Sequence, residues 1–194
     1  MNYGELKTAI GGYYNHATVS SSAADFVTLA SAVIRRDVRV SAMEALATGS
    51  LVGGVLTLPS GYLEARQLLV GGFPYEYVTS DQYQTETNDN TQERHYTRIG
   101  NSLYVVAGGT STYSLLYYDD FANLSADADT NWVLTYAPDV YLFSALKFAA
   151  VFMKDVNAAQ GYEALYQEAK NKTNSVDKAG RLSSRSRVRA QVVV

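Results

Sequence analysis

The sequence predicts an α+β fold: a small antiparallel helical bundle made from the N- and C-terminal helices, a β-rich antiparallel, barrel-like insertion, and an extended C-terminal tail. Three observations carry this expectation. Near both ends of the 194-residue chain, apolar residues recur at helical spacing. From Met43 to about Phe121 that period gives way to short β-like runs punctuated by glycine pairs. At the C-terminus the period is lost again, and arginines alternate with small and apolar residues. The expected organisation is a helical body at 1–41 and 122–178, a β-rich insertion at 42–121, and a basic tail at 179–194.

In chain order, "NYGELKTAIGGYYNH" opens with Asn2 and places Glu5 three residues on, the pattern of a capping box. Leu6, Ile10, Tyr13 and Tyr14 then share one helical face, and Gly11-Gly12 should weaken the end of the helix. "TVSSS" reads as a connector. A second helix is expected over about 22–39, with Ser22 as N-cap, Asp25 in the first turn, and a stripe of Phe26, Leu29, Ala30, Val33 and Ile34. Arg35, Arg36 and Arg39 suit its negative C-terminal end.

Within the insertion, Gly53-Gly54, Gly71-Gly72, Gly100-Asn101 and Gly108-Gly109 stand where hairpin turns are expected, with 102–106 and 112–118 pairing across the last. "TSDQYQTETNDNTQER" is polar and aperiodic, and admits a short helix at Ser80–Glu86. Helical character returns at Pro138, with Asp139 beside it at the positive helix end, and runs to about Lys154. Another helix is expected over about 158–176.

The helix from Pro138 is apolar on most sides. Tyr141, Ala145, Phe148 and Phe152 form one row, and Leu142, Leu146, Ala149 and Met153 another. Ser144, Lys147, Val151 and Lys154 leave only a narrow polar stripe. Such a helix must be covered on several sides, either by the rest of its own chain or by a neighbouring copy.

Composition excludes several classes. With 47% hydrophobic residues the chain can bury a core. No apolar run is long and uncharged enough to span a bilayer, so no membrane role is expected. The start lacks the pattern of a secretion signal. The absence of cysteine excludes disulfides, thiolate metal sites and cysteine nucleophiles, and fits synthesis in a reducing cytoplasm. Net charge is −3 overall, yet residues 172–194 hold six Lys/Arg against one Asp, so an acidic body carries a basic tail. The 16 tyrosines suit either strands or interfaces.

Motifs for chemistry are missing. No glycine pair leads into a phosphate-binding loop. "DADTN", Asp127 to Asn131, opens like a calcium loop, but Trp132 stands where glycine is needed and Pro138 where glutamate is needed. These residues are expected to cap backbone groups instead. His16 and His95 lack ligand partners at helical spacing. Neither enzyme activity, nor a cofactor, nor a metal is expected.

The stretch "YSLLYYDDFANLSADADTNWVLTYAPDVYLFSALKFAAVFMKD" resembles the C-terminal half of the head-to-tail adaptor proteins of tailed bacteriophages. Their pattern has a strand ending in Tyr-Tyr, a Leu-Ser loop, then T-N-W-L-L and A-P-D-x-Y-L-x-x-x-L. Tyr117, Tyr118, Leu124, Ser125, Thr130, Asn131, Trp132, Leu134, Ala137, Pro138, Asp139, Tyr141, Leu142 and Leu146 match it. "NYGELKTAI", "IRRDVRV", "LTLPSGYLE" and "PYEYVTSDQ" are also similar to that family. The resemblance covers most of 2–175.

The resemblance implies a structural virion protein of the neck, made in the host cytoplasm. Its expected form is a homo-oligomeric ring, usually of twelve copies, below the portal protein. The ring would receive the next tail component and let DNA pass without sequence-specific binding. It implies no catalysis. It places the tail residues Arg181, Arg185, Arg187, Arg189, Val192, Val193 and Val194 on the portal. Trp132, Pro138, Asp139, Tyr141, Leu142, Leu146, Phe148 and Phe152 are then core or protomer–protomer positions. A rival reading is a tyrosine-rich β module that recognises a carbohydrate or peptide, as in a tail-fibre or host-surface component.

Overall fold

The computed structural model describes residues 1–89 and 93–185, with 182–185 in backbone outline. In chain order the elements are helices α1 (Tyr3–Tyr14), α2 (Ala17–Ser21) and α3 (Ala23–Asp37), then strands β1 (Glu44–Ser50), β2 (Val55–Thr57), β3 (Tyr62–Val70) and β4 (Phe73–Tyr77). Helix α4 (Ser80–Asn88) and strands β5 (His95–Ile99), β6 (Ser102–Val105) and β7 (Thr112–Asp119) follow. Helices α5 (Trp132–Tyr136), α6 (Pro138–Phe152) and α7 (Val156–Arg185) complete the order. With 51% helix and 24% strand the chain is mixed, as the expected α+β class requires. It divides into a helical unit, Met1–Ala42 with Phe121–Val194, and a β unit, Met43–Asp120.

In the helical unit α1 starts at the expected capping box. Asn2 Oδ1 accepts from the Glu5 amide at 2.8 Å, and the Asn2 amide donates to Glu5 Oε2 at 3.0 Å. Leu6 and Ile10 are buried, but Tyr13 is exposed and lies off the apolar face. The helix survives Gly11-Gly12 because Gly11 serves packing: a Cβ there would lie 2.5 Å from Ser20 Oγ of α2. The expected connector after α1 is therefore itself a short helix, capped by His16 Nδ1, which accepts from the Thr18 amide at 3.3 Å. Ser22 stands at the start of α3 without a side-chain capping bond. Val27 takes the place expected for Leu29 in the buried stripe, and Leu29 is exposed.

Helix α6 is the centre of this unit and packs against α1, α3, α5 and α7. Pro138 opens it at a position where a missing N–H costs nothing, and Asp139 sits in its first turn. Tyr141, Ala145, Leu146 and Ala149 are fully buried. So is Ser144, which corrects the expected polar stripe at its first position, whereas Lys147 is half-buried and Val151 and Lys154 are exposed. Cover comes from within the unit except at the last turn, where Val151 is 61% and Phe152 49% exposed. Beyond the helix, Lys154 adopts a left-handed φ of 60°. A non-glycine residue held there costs about 1–2 kcal/mol.

Helix α7 spans 30 residues. It runs past the expected end at 176, so residues 179–185 are helical rather than extended. Gly180 is tolerated inside it at roughly 1 kcal/mol. The Arg181 Nε–Asp177 Oδ2 pair, one turn apart at 2.7 Å, supports the last turns. Asp177 in turn accepts from the Ser41 amide at 2.8 Å and from its hydroxyl.

The β unit is a seven-stranded, nearly closed barrel-like sheet in the order β1-β7-β3-β4-β5-β6-β2. All pairings are antiparallel except β4 with β5. β3 carries register shifts at Tyr62/Glu64 and Ala65/Gln67, irregularities of the kind that bend a strand. Leu68, Leu103, Leu115 and Tyr117 meet in its core. Gly71-Gly72 makes the expected hairpin between β3 and β4, with φ of 58° and 83°. The hairpin expected across Gly108-Gly109 does not form. β6 pairs with β5 and β2, and β7 pairs with β1 and β3. Both strands have buried faces that suit many partners, and closing the sheet decided among them. Helix α4 forms where a short helix was expected, with Thr79 Oγ1 accepting from the Gln82 amide at 3.3 Å.

Candidate partner-binding surfaces

The most specific stretch of the sequence builds a buried polar staple. Asn131 caps α5, its Oδ1 accepting from the Leu134 amide at 3.1 Å. Its Nδ2 donates to the Ala122 carbonyl at 3.0 Å and to Tyr141 Oη at 3.2 Å. Ser31 Oγ lies 3.1 Å from Tyr141 Oη and donates to the Val27 carbonyl at 2.8 Å. Because Ser31 gives its proton to a carbonyl and Asn131 gives one to Tyr141, the Tyr141 hydroxyl must donate to Ser31. The relay ties α3, α5, α6 and the 121–131 loop together. Phe121 meets Trp132 and Tyr141 edge-on at 6.3 and 6.2 Å, and Arg35 lies over its ring at 4.7 Å. The residues of this signature therefore serve the packing of the helical unit.

The "DADTN" stretch is likewise structural. Asp129 Oδ2 accepts from the Ser125 and Ala126 amides, each at 2.8 Å, and from Ser125 Oγ at 2.9 Å. The Ser125 amide, followed by that of Ala126, holds its carboxyl below the usual carboxylate range. The Asp127 and Asp129 carbonyls accept from the Gly4 and Tyr3 amides at 2.9 Å, so the loop also caps α1. Asp127 pairs with Lys7 at 2.6 Å. No cluster of potential metal ligands occurs among the described residues.

The expected site residues fall into three groups. Tyr141 and Leu146 are core, while Trp132, Pro138, Asp139, Leu142 and Phe148 are half-buried on α5 and α6. Phe152 is exposed at the end of α6. Arg181, expected in a free tail, instead lies on α7 and pairs with Asp177. Arg185 ends α7 in backbone outline, and Arg187, Arg189, Val192, Val193 and Val194 lie outside the described residues.

Two surface grooves on the helical unit carry apolar residues that periodicity did not single out. One, of about 420 Å³, lies between α6 and α7 and is lined by Val151, Val156 and Ala159 with Lys147, Lys154 and Glu163. The other, of about 330 Å³, is lined by Trp132, Tyr136, Asp139, Lys172 and Val176. Only high exposure marks Tyr136 and Val156, and exposure has no local sequence signal.

In the β unit many tyrosines are taken up by packing. Tyr62 stacks on Tyr117 at 5.8 Å, and Tyr77 meets Tyr96 edge-on at 5.7 Å. Burial pushes the Tyr96 hydroxyl up to about 12.

A helical body whose specific sequence is used to fix its own shape, carrying a β module and apolar surface grooves, has the character of an assembly protein. The chain belongs to the SU10 adaptor protein family, which it matches over residues 1–191, and it is a structural adaptor of a bacteriophage. No curated protein matches it. No helix among the described residues is long and apolar enough to cross a membrane.

Proposed function

We propose that this adaptor forms a homo-oligomeric ring, of twelve copies, in the virion neck between capsid and tail. It binds the portal protein above and the next tail component below, and DNA passes through without sequence-specific binding. Its role is structural and non-catalytic. The observation that carries this reading is the family match across residues 1–191, anchored on the Asn131–Tyr141–Ser31 staple.

The C-terminal segment with Arg187, Arg189 and Val192 to Val194 docks on the portal, and Arg181 and Arg185, expected to dock with it, lead into it from the end of α7. Arginines suit carboxylates and backbone carbonyls there, and the alternating pattern suits strand addition. Co-sedimentation with portal rings from the same genome tests this. Because Arg181 holds Asp177, the truncated version should end at Arg185. Full-length chain is expected to pellet with portals and to show ring symmetry in class averages, whereas the truncated chain stays in the supernatant with an unchanged melting temperature. Equal docking by both versions would show that the tail assignment is wrong.

A further inference from the structure

We propose that Tyr136 of one copy seats in the α6–α7 groove of the next, making the head-to-tail contact of the ring. This inference rests on the ring reading above and adds the residues that form the contact. At 80%, Tyr136 is the most exposed large apolar side chain among the described residues. Val176, on the same groove, is 66% exposed. Tyrosine with an apolar body and polar tip is the residue type that anchors interfaces.

The receiving groove matches it in kind. Its volume of about 420 Å³ holds an aromatic ring, Val151, Val156 and Ala159 offer an apolar lining, and Gln160 and Glu163 offer acceptors for the hydroxyl. Val151 at 61% and Val156 at 67% exposure are left uncovered by the chain's own helices.

The charges are complementary. Asp139 lies beside Tyr136 and, among the described residues, bonds only the amide of Val140 at 3.1 Å. Lys154 lines the receiving groove, and its Nζ has no carboxylate partner among the described residues. Lys154 also occupies the left-handed position after α6 where glycine is the default. Strain of this kind persists where the side chain is needed.

Placement favours unlike surfaces meeting. The α7 residues of the two grooves are separated by about 22 Å along the helix and by about 120° around it, at 1.5 Å and 100° per residue. The two surfaces are therefore distinct, and each can take a different neighbour, the heterologous arrangement that gives a ring where the rotation closes.

The chain has no cysteine, so Tyr136→Cys and Val156→Cys introduce unique thiols. The full chain, assembled on portal rings, is treated with a short bis-maleimide. The double variant is expected to give a ladder of covalent multimers, and each single variant none. A dimer from a single variant would mean that like surfaces meet, and would overturn the contact. No ladder from double-variant particles that image as rings would overturn it while leaving the ring standing. Absence of rings with the unmodified chain would overturn the ring reading itself. Separately, Lys154→Asp and Asp139→Lys should each raise the concentration needed for assembly roughly tenfold, and the double reversal should restore it. No recovery in the double reversal would overturn the charge pairing.

Discussion

Tyr141 brings a hydroxyl into the middle of a helical core and finds a donor and an acceptor already placed there. Removing that one oxygen leaves the apolar ring in place but strips Asn131 and Ser31 of a partner in a buried position. Tyr141→Phe is therefore expected to lower stability by about 1–3 kcal/mol in urea unfolding. In the β unit Tyr96 makes a different statement. Burial raises its ionisation to about 12, above the value near 10 of an unfolded tyrosine. The neutral form is favoured in the folded state, so its contribution is fully present below about pH 10 and is lost as pH rises through about 12. Absorbance titration at high pH should show a tyrosine step near pH 12 that disappears in Tyr96→Phe.

At the scale of elements, α6 and α7 are joined by the Lys147–Glu163 pair at 2.8 Å. The Lys147 ammonium, helped by the Gln167 amide, holds the Glu163 carboxyl below its usual range. A depressed acid stabilises above its unfolded pKa and loses that contribution as pH falls through its folded one. The melting temperature of Glu163→Gln should thus fall a few degrees below that of the unaltered chain at neutral pH, and the gap should close in acid. Partial exposure of the pair keeps the difference small. The starts of these elements were legible because their signals are local: the Asn2–Glu5 box, Pro138 with Asp139, Thr79 before α4. Their ends and partners were not. Helix α7 outlasts its apolar period because of Asp177 and Arg181, and α2 exists because Gly11 lets it approach α1. The separate partners of β6 and β7 depended on the order of a seven-stranded sheet, which no stretch of ten residues encodes.

At the scale of the whole molecule, the adaptor identity was legible because its signature joins a buried relay to a helix start, each with strict demands on residue type: few other side chains can replace Asn131 and Tyr141 in the one and Pro138 in the other. The grooves at Tyr136 and Val156 were not legible. They are surfaces left uncovered after packing, and they become visible only once the helices are in place. The C-terminal segment begins at the end of a helix about 45 Å long, at 1.5 Å per residue. Near that end, Arg181, Asp177 and Ser41 clasp α7 to the connector after α3. A pull applied through the C-terminus would meet this clasp before it reached the α6–α7 packing. The clasp ties the last turns of α7 back to the residues after α3, so the tip of the long helix is held at a second point. On the reading proposed above, in which a partner is held through that segment, the clasp would be the first contact of the helical unit to carry its load.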